Sequence, residues 1–247
     1  MKKLKLAASL ALLSPALTLA QIPVSDVDLT RFYVRLGASF VYPDDDNTPL
    51  KYYVLQDWEF YRTGWDIDEN VTWNISGVWR PLPYLGVEAM YIGSPDHSLT
   101  ITNFRAHPGR DNIEFGFFTT SSANLFVNWY WQDESCLGQP YIGIGVNYTD
   151  FYDDELDPEM QRYLKTSGMA TGLSKLGIGH SWGASAQIGI DWRLGHGRRW
   201  LINAAAMYTD ADTDAVVTFP TRPGYGRLYS DIEYNPWTLN LGITYEF

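Results

Sequence analysis

Apolar and polar side chains alternate along eight segments of the chain, each long enough to cross a bilayer as a tilted strand. In the clearest segment, 181–193, every even position from Trp182 to Trp192 is apolar, and every odd position is small, polar or charged. The segments are 32–42, 71–79, 85–93, 123–131, 141–152, 181–193, 200–208 and 237–247. An even number of such strands predicts an all-β fold, an eight-stranded antiparallel up-and-down transmembrane β-barrel.

The connections between these segments are alternately short and long. The short ones are 81–84, 132–139 and 195–199, and the long ones are 43–70, 94–122, 153–180 and 209–233. Outer-membrane barrels have short periplasmic turns and long extracellular loops, which places both termini on the periplasmic side. Within 153–180, a short helix is predicted over Leu156–Leu164, started by Asp157 and Pro158.

Tryptophans end the apolar faces of several segments, as expected where a membrane strand meets the lipid headgroups. A soluble, tryptophan-rich β protein is the alternative, but it does not need aromatic residues at its strand ends. The predicted periplasmic girdle contains Trp79, Trp131, Trp192, Trp200 and Phe247, and the outer girdle contains Trp73, Trp182 and Trp237.

Residues 1–20 are predicted to be a secretory signal peptide, which leaves 21–247 as the barrel. Three lysines precede an apolar stretch, and Ala20 ends a small-residue cleavage site. The formal charge is −11 for the whole chain and −14 without residues 1–20. This acidic balance without clustered basic residues argues against nucleic-acid binding. The single cysteine, Cys136, cannot form an internal disulfide.

Inward-facing positions near the periplasmic end carry three cations and three anions. In so narrow a barrel they can neutralise one another, which predicts a closed polar plug and not an ion-selective pore. We predict no cofactor and no metal site, since the acidic run at 210–221 matches a calcium loop poorly. The predicted plug residues are Arg35, Arg80, Glu88, Asp191, Arg193 and Glu246.

Inward positions nearer the outer end are apolar and include two adaptable methionines. They predict a cup for small hydrophobic ligands, although the same residues could simply fill the barrel. Pro236 and Pro95 lack the donor of a central strand and are candidates for a lateral opening, or else mark strand ends. The predicted cup residues are Val41, Met90, Ile92, Phe126, Phe151 and Met207.

Several local motifs, in this order and spacing, make the chain similar to the OmpW family of small outer-membrane barrels. They include residues 32–37, 85–88 with Pro95 and His97, 139–148, 181–191 and 235–247. The resemblance implies a narrow apolar interior, passive uptake of small hydrophobic molecules, and bacteriocin attachment. The segment Ser122–Leu125 departs from the family, which usually has a pair of prolines there.

The function predicted is therefore passive uptake of small hydrophobic solutes, with lateral release into the membrane. A non-transporting surface barrel is the alternative, and a lipid A-modifying enzyme is a third, disfavoured because His97-Ser98 and His180-Ser181 are adjacent and point to opposite faces. The expected partners are outer-membrane lipid, lipopolysaccharide, hydrophobic solutes and the outer-membrane assembly machinery. The oligomeric state stays open.

Overall fold

A computed structural model describes residues 31–44, 48–104, 111–132, 136–195 and 199–247. The predicted signal peptide lies outside these residues and stays a prediction. In chain order the elements are β1 (Phe32–Tyr42), β2 (Lys51–Tyr53), β3 (Asp57–Glu59), β4 (Gly64–Ile67), β5 (Asn70–Leu82), β6 (Leu85–Ile92), β7 (Asp96–Thr102), β8 (Ile113–Tyr130), β9 (Gly138–Leu156), α1 (Pro158–Thr166), β10 (Lys175–Ile178), β11 (Ser181–Arg193), β12 (Trp200–Thr209), β13 (Asp212–Thr221), β14 (Gly224–Glu233) and β15 (Trp237–Glu246).

Eight antiparallel strands close into a barrel, in the order β1, β5, β6, β8, β9, β11, β12 and β15. The first and last strands pair directly, from Tyr33 opposite Glu246 to Tyr42 opposite Trp237. Gly37 faces Gly242 in this ladder, where a Cβ on Gly37 would collide with the backbone of Leu241. The predicted fold class is confirmed.

The barrel wall is apolar outside and polar inside. On β15, Leu239, Leu241 and Ile243 are 45–56% exposed, whereas the intervening Thr238 and Asn240 are at most 2% exposed. This arrangement is the inverse of a soluble sheet, and the outward face suits hydrocarbon.

The four long connections differ from the sequence-based expectation, because they fold into further strands. β8 and β9 remain paired beyond their predicted ends, as far as Gly116 opposite Leu156. β7 and β4 extend this wall, and β10, β13, β14, β2 and β3 form a separate five-stranded sheet. Alternating apolar positions such as Ile113 and Phe115, assigned above to a loop, supply the buried face of this added structure.

These elements enclose a second hydrophobic core outside the membrane, the extracellular core. Among the described residues it comprises 22 buried ones, from the long connections and the adjoining barrel ends. Aromatic rings dominate it: Trp65 meets Phe115 edge to face at 5.0 Å, and Phe104 lies 5.3 Å from Phe60. The long connections are therefore a packed cap, not free loops.

Helix α1 covers this core, close to where the sequence predicts a helix. Asp157 is its N-cap, accepting a hydrogen bond from the Glu159 amide, and Pro158 occupies the first turn. Met160 and Leu164 are fully buried in the extracellular core. No helix in the described part of the chain is long and apolar enough to span a membrane.

We expect Phe115→Ala to destabilise the cap by about 3–5 kcal/mol, because it leaves a cavity beside Trp65. Limited proteolysis and hydrogen exchange of the extracellular strands should detect the change, while the barrel strands keep their protection. Phe117→Ala is the matched control, since Phe117 lies two residues along the same strand with a 38% exposed side chain. Equal effects of the two variants would contradict the description of the cap as a packed core.

Candidate functional site: the barrel interior and its wall

A buried arginine organises the periplasmic half of the interior. Arg35 on β1 is 2% exposed, and its Nη1 and Nη2 each donate at 2.6 Å to carboxylates, Glu88 Oε1 on β6 and Asp191 Oδ2 on β11. The same Nη2 lies 3.2 Å from the Tyr130 hydroxyl. Arg35 therefore connects strands from opposite sides of the barrel.

Neutral side chains complete the hydrogen bonding of the two carboxylates. Glu88 accepts from Ser76, Asn128 and Gln187, and Asp191 accepts from Asn203 at 2.8 Å. A buried ion pair survives the cost of desolvation when its remaining polar atoms are satisfied in this way. The network connects side chains from β1, β5, β6, β8, β11 and β12 across the barrel interior.

The other predicted plug residues lie nearer the periplasmic rim. Arg193 pairs with Glu246, which agrees with the expectation that cations and anions of the plug neutralise one another. Arg80 behaves differently: it donates to Gln139 Oε1 and to the Pro83 carbonyl, and its guanidinium lies 3.8 Å from the centre of the Tyr130 ring. Arg35 thus serves two acids, Arg193 serves one, and Arg80 contacts Gln139, Pro83 and Tyr130.

The six predicted cup residues are all buried and are divided between two hydrophobic clusters. Met90, Ile92, Phe126 and Met207 make a separate cluster inside the barrel, called the lumen cluster below. Val41 and Phe151 instead belong to the extracellular core. Val41 also lines a small cavity together with Ile92 and Met207. The folded cap supplies the other apolar partners of Val41 and Phe151, from segments assigned above to loops.

Amide and hydroxyl side chains also occupy the interior near the lumen cluster, and the sequence analysis missed them. Ser39 bonds to Asn240 and Asn74 on the two neighbouring strands. Asn147 donates to Asn124 and Ser122. Their signal in the sequence was the recurrence of Asn and Ser at inward positions of several strands.

A small cavity of about 20 Å³ lies above the lumen cluster, with room for about one water molecule. Both prolines proposed as lateral openings line it, together with Ile92, Met207 and Tyr234. At Pro236 the ladder continues, since the Thr209 amide donates to the Pro236 carbonyl and the Asp44 amide to the Tyr234 carbonyl. At Pro95, in contrast, the ladder is interrupted on the side that faces β5.

The wall beside Pro95 contains a gap in the backbone ladder, called the seam below. The Gly93 amide donates to Trp73 O and the Asp68 amide to Ser98 O, and among the described residues no backbone bond joins 69–72 to 94–97. A side chain bridges part of the gap: Asn70 Nδ2 donates to Asp96 O at 2.5 Å. The seam therefore lies next to the lumen cavity, just beyond Trp73.

Aromatic pairs lie at both ends of the lipid-facing wall. Toward the cap, Trp73 contacts Tyr91, Trp182 contacts Tyr148 and Trp237 contacts Tyr208, with ring centroids 4.8–5.6 Å apart. At the other end, Tyr245 contacts both Trp200 and Phe247. Trp131 and Trp192 are about half exposed, and Trp79 is partly buried. The tyrosine partners had gone unnoticed among the candidate girdle residues.

The fold and the inverted wall define a small integral β-barrel of the bacterial outer membrane. The chain belongs to the OmpW family, which it matches over residues 30–247. The resemblance read from its motifs is thereby confirmed, and so is the outer-membrane location.

Outer membrane protein W of Salmonella typhi is 29% identical over 185 residues, 74% of this chain and 76% of that protein. The Escherichia coli K12 protein is 32% identical over 123 residues, 50% of this chain and 51% of that one. The crystal structure of OprG from Pseudomonas aeruginosa matches with a TM-score of 0.74 at 24% identity, covering 90% of this chain and 97% of that one. The AlkL structure in lipid bilayers matches with a TM-score of 0.60 at 19% identity, covering 90% and 92%. These structures share the fold.

We expect Arg35→Met to destabilise the barrel by about 3–5 kcal/mol, because it leaves Glu88 and Asp191 buried without a cation. The triple variant Arg35→Met, Glu88→Gln, Asp191→Asn should recover most of this loss, since it removes the uncompensated charges as well. Urea unfolding of the protein in lipid vesicles measures both. A triple variant as unstable as the single one would show that shape, and not charge, makes Arg35 necessary.

Proposed function

We propose that the protein mediates passive uptake of small hydrophobic molecules, which enter from the extracellular side and leave sideways into the membrane through the seam. The observation that carries this proposal is the position of the seam. The gap in the ladder borders the lumen cavity, and the lumen cluster lies directly below. The lumen cluster thus matches a hydrophobic solute in polarity.

The polar plug favours a lateral exit over passage along the barrel axis. A hydrophobic solute moving toward the periplasm would have to displace the buried ion pairs of Arg35, which are held by hydrogen bonds from four strands. Disrupting such pairs without replacement costs several kcal/mol. The seam requires the loss of side-chain bridges alone.

The lumen cluster suits solutes of no fixed shape. Met90 and Met207 are unbranched and can rearrange around a guest, whereas the cavity of about 20 Å³ is too small for one in the resting state. Entry therefore requires these side chains to move. Trp73 and Tyr91 beside the seam are typical of the headgroup level, so a solute leaving there reaches the outer leaflet.

A cysteine pair at Asn70 and Asp96 tests the exit, because the Asn70 side chain already reaches the Asp96 backbone. In a Cys136→Ser background, we expect oxidation of this pair to reduce uptake of radiolabelled octane by cells at least fivefold, and reductant to restore it. Before oxidation, octane should enter at least as fast as in the parent.

The matched control is a cysteine pair at Ile178 and Ala215, which face each other on β10 and β13 away from the seam. Its oxidation should leave octane uptake unchanged. If locking the seam also leaves uptake unchanged, the lateral route is wrong.

A second candidate function, a surface barrel for attachment, is favoured by exposed apolar side chains at the outer end of the cap. Leu55 and Tyr225 are 81% and 75% exposed, and Trp58 is 62% exposed. Apolar groups left in water at a cell surface often mark contact sites.

For this second function we expect Leu55→Ser with Tyr225→Ser to lower adhesion or phage adsorption by cells severalfold. The same variant should leave octane uptake unaltered, since neither residue borders the seam. Undiminished attachment would remove the surface role of this end of the cap.

Other partners follow from the location in the membrane. Acidic residues in the cap, among them Asp153 and Asp154, are the proposed sites that hold lipopolysaccharide phosphates through divalent cations. Small hydrophobic solutes complete the set of partners that we propose.

A further inference from the structure

A second side-chain bridge crosses the seam, formed by the buried His97 on β7. The ring is 1% exposed, and its Nδ1 lies 2.7 Å from the Asp68 carbonyl oxygen on the far side of the gap. Because a carbonyl can only accept, Nδ1 carries the hydrogen. Nε2 is then an acceptor, and it takes a hydrogen bond from the Tyr234 hydroxyl at 3.0 Å.

Tyr234 connects this bridge to the interior. It lies between β14 and β15, lines the lumen cavity, and packs edge to face on His97, Phe118 and Phe151. The hydroxyl oxygens of Thr120 and Tyr234 lie 3.5 Å apart. Because Tyr234 already donates its hydrogen to His97, Thr120 is the donor in this second hydrogen bond. One hydrogen-bonded chain therefore runs from the lumen wall through Tyr234 and His97 to the far edge of the seam.

We propose that His97 and Tyr234 hold the seam closed while His97 is neutral, and that protonation of His97 releases it, so that acid opens the lateral exit. The effect of acid on uptake rests on the function proposed above, whereas the opening itself does not.

Protonation disrupts the chain because it turns His97 Nε2 into a donor. Tyr234 would then accept from His97 and turn its own hydrogen to Thr120 Oγ1, so that the hydrogen of the buried Thr120 hydroxyl loses Tyr234 as its acceptor. The positive charge would also be buried against Phe118 and Tyr234. Both effects disfavour the closed arrangement.

Burial and the charges around His97 act on its pKa in opposite directions. The carboxylates of Asp68 and Asp96 favour the protonated ring, and Asp153, Asp154 and Glu155 of β9 line the same groove as His97. Burial opposes them and is the larger effect, so the pKa of His97 is lowered from its usual value. Burial also raises the pKa of Tyr234, which keeps its hydroxyl protonated.

The sign of the pH dependence follows from this lowered pKa. The open state takes up a proton near the ordinary histidine pKa of about 6.5, while the closed state resists it. Closure is therefore fully stabilised above about pH 6.5 and weakens as the pH falls below that value. An extracellular groove of about 580 Å³, lined by His97, Asp96 and Phe117 among others, provides access for the proton.

Hydrogen exchange of the full-length protein in lipid nanodiscs tests the proposal. The amides of Asp68 and Gly93 donate the last backbone hydrogen bonds on either side of the seam. After correction for intrinsic rates, we expect their protection to fall at least tenfold between pH 7.5 and pH 5, relative to amides of the β1 and β15 ladder.

Two variants separate the titration from simple packing. His97→Phe keeps the ring but loses both bonds, so protection at the seam should be low at both pH values. Tyr234→Phe keeps the fold and the histidine but removes the donor to Nε2, so the midpoint of opening should move to higher pH. His180→Phe, at an exposed ring beside Tyr148, is the matched control and should behave as the parent.

Seam amides with no pH dependence in the parent, or with the parent's dependence in His97→Phe, would overturn the proposal. Octane uptake measured on the same proteins separates the two hypotheses. Opening in acid without faster uptake would support the role of His97 and count against lateral uptake. If the Asn70 and Asp96 cysteine pair blocks uptake but exchange at the seam does not depend on pH, lateral uptake is supported and the role of His97 is contradicted.

Discussion

Hydrocarbon provides no hydrogen-bond partners, so every backbone amide and carbonyl in the membrane must be paired within the chain. In this protein the requirement is met by pairing β1 with β15, which joins the two ends of the sheet and leaves no edge. Gly37 and Gly242 allow the close approach that the joint needs. Inward polar groups, the plug and the cap are all built on this closed ladder, and the seam is a local exception to it beside Trp73 and Tyr91, at the level of the headgroups.

Closure creates a narrow interior that must be filled, and this protein fills it with two kinds of side chain. Toward the periplasm, Arg35 holds Glu88 and Asp191 at the centre of a satisfied polar network. Farther out, the lumen cluster packs against amide and hydroxyl groups. The polar network is costly to break and the methionine-containing cluster is easily rearranged, so movement of a guest is easier in the outer half. In the uptake that we propose, the same contrast directs a guest toward the wall instead of the periplasm.

The cap extends the barrel beyond the membrane and gives the outer half a roof. Its core of aromatic and aliphatic residues is held by strands that continue directly from the barrel wall, so cap and barrel are mechanically connected. Tyr234 belongs to this core and also lines the lumen cavity. A change at His97 or Tyr234 can therefore act on the roof, the cavity and the seam together.

Alternation and chain length were enough to predict the eight strands, because a membrane strand must place one face on lipid and the other inside. The helix after Asp157 was also predictable, since capping is local. Strand pairing beyond the membrane was not, because the short alternating runs of the cap resemble loops until they pack together. Only the tertiary structure decided that Arg35 serves two acids, that Val41 and Phe151 join the cap, and that His97 reaches Asp68 and Tyr234. Those contacts join residues far apart in the chain, and their partners depend on the strand register and the shear of the closed barrel, which local sequence does not encode.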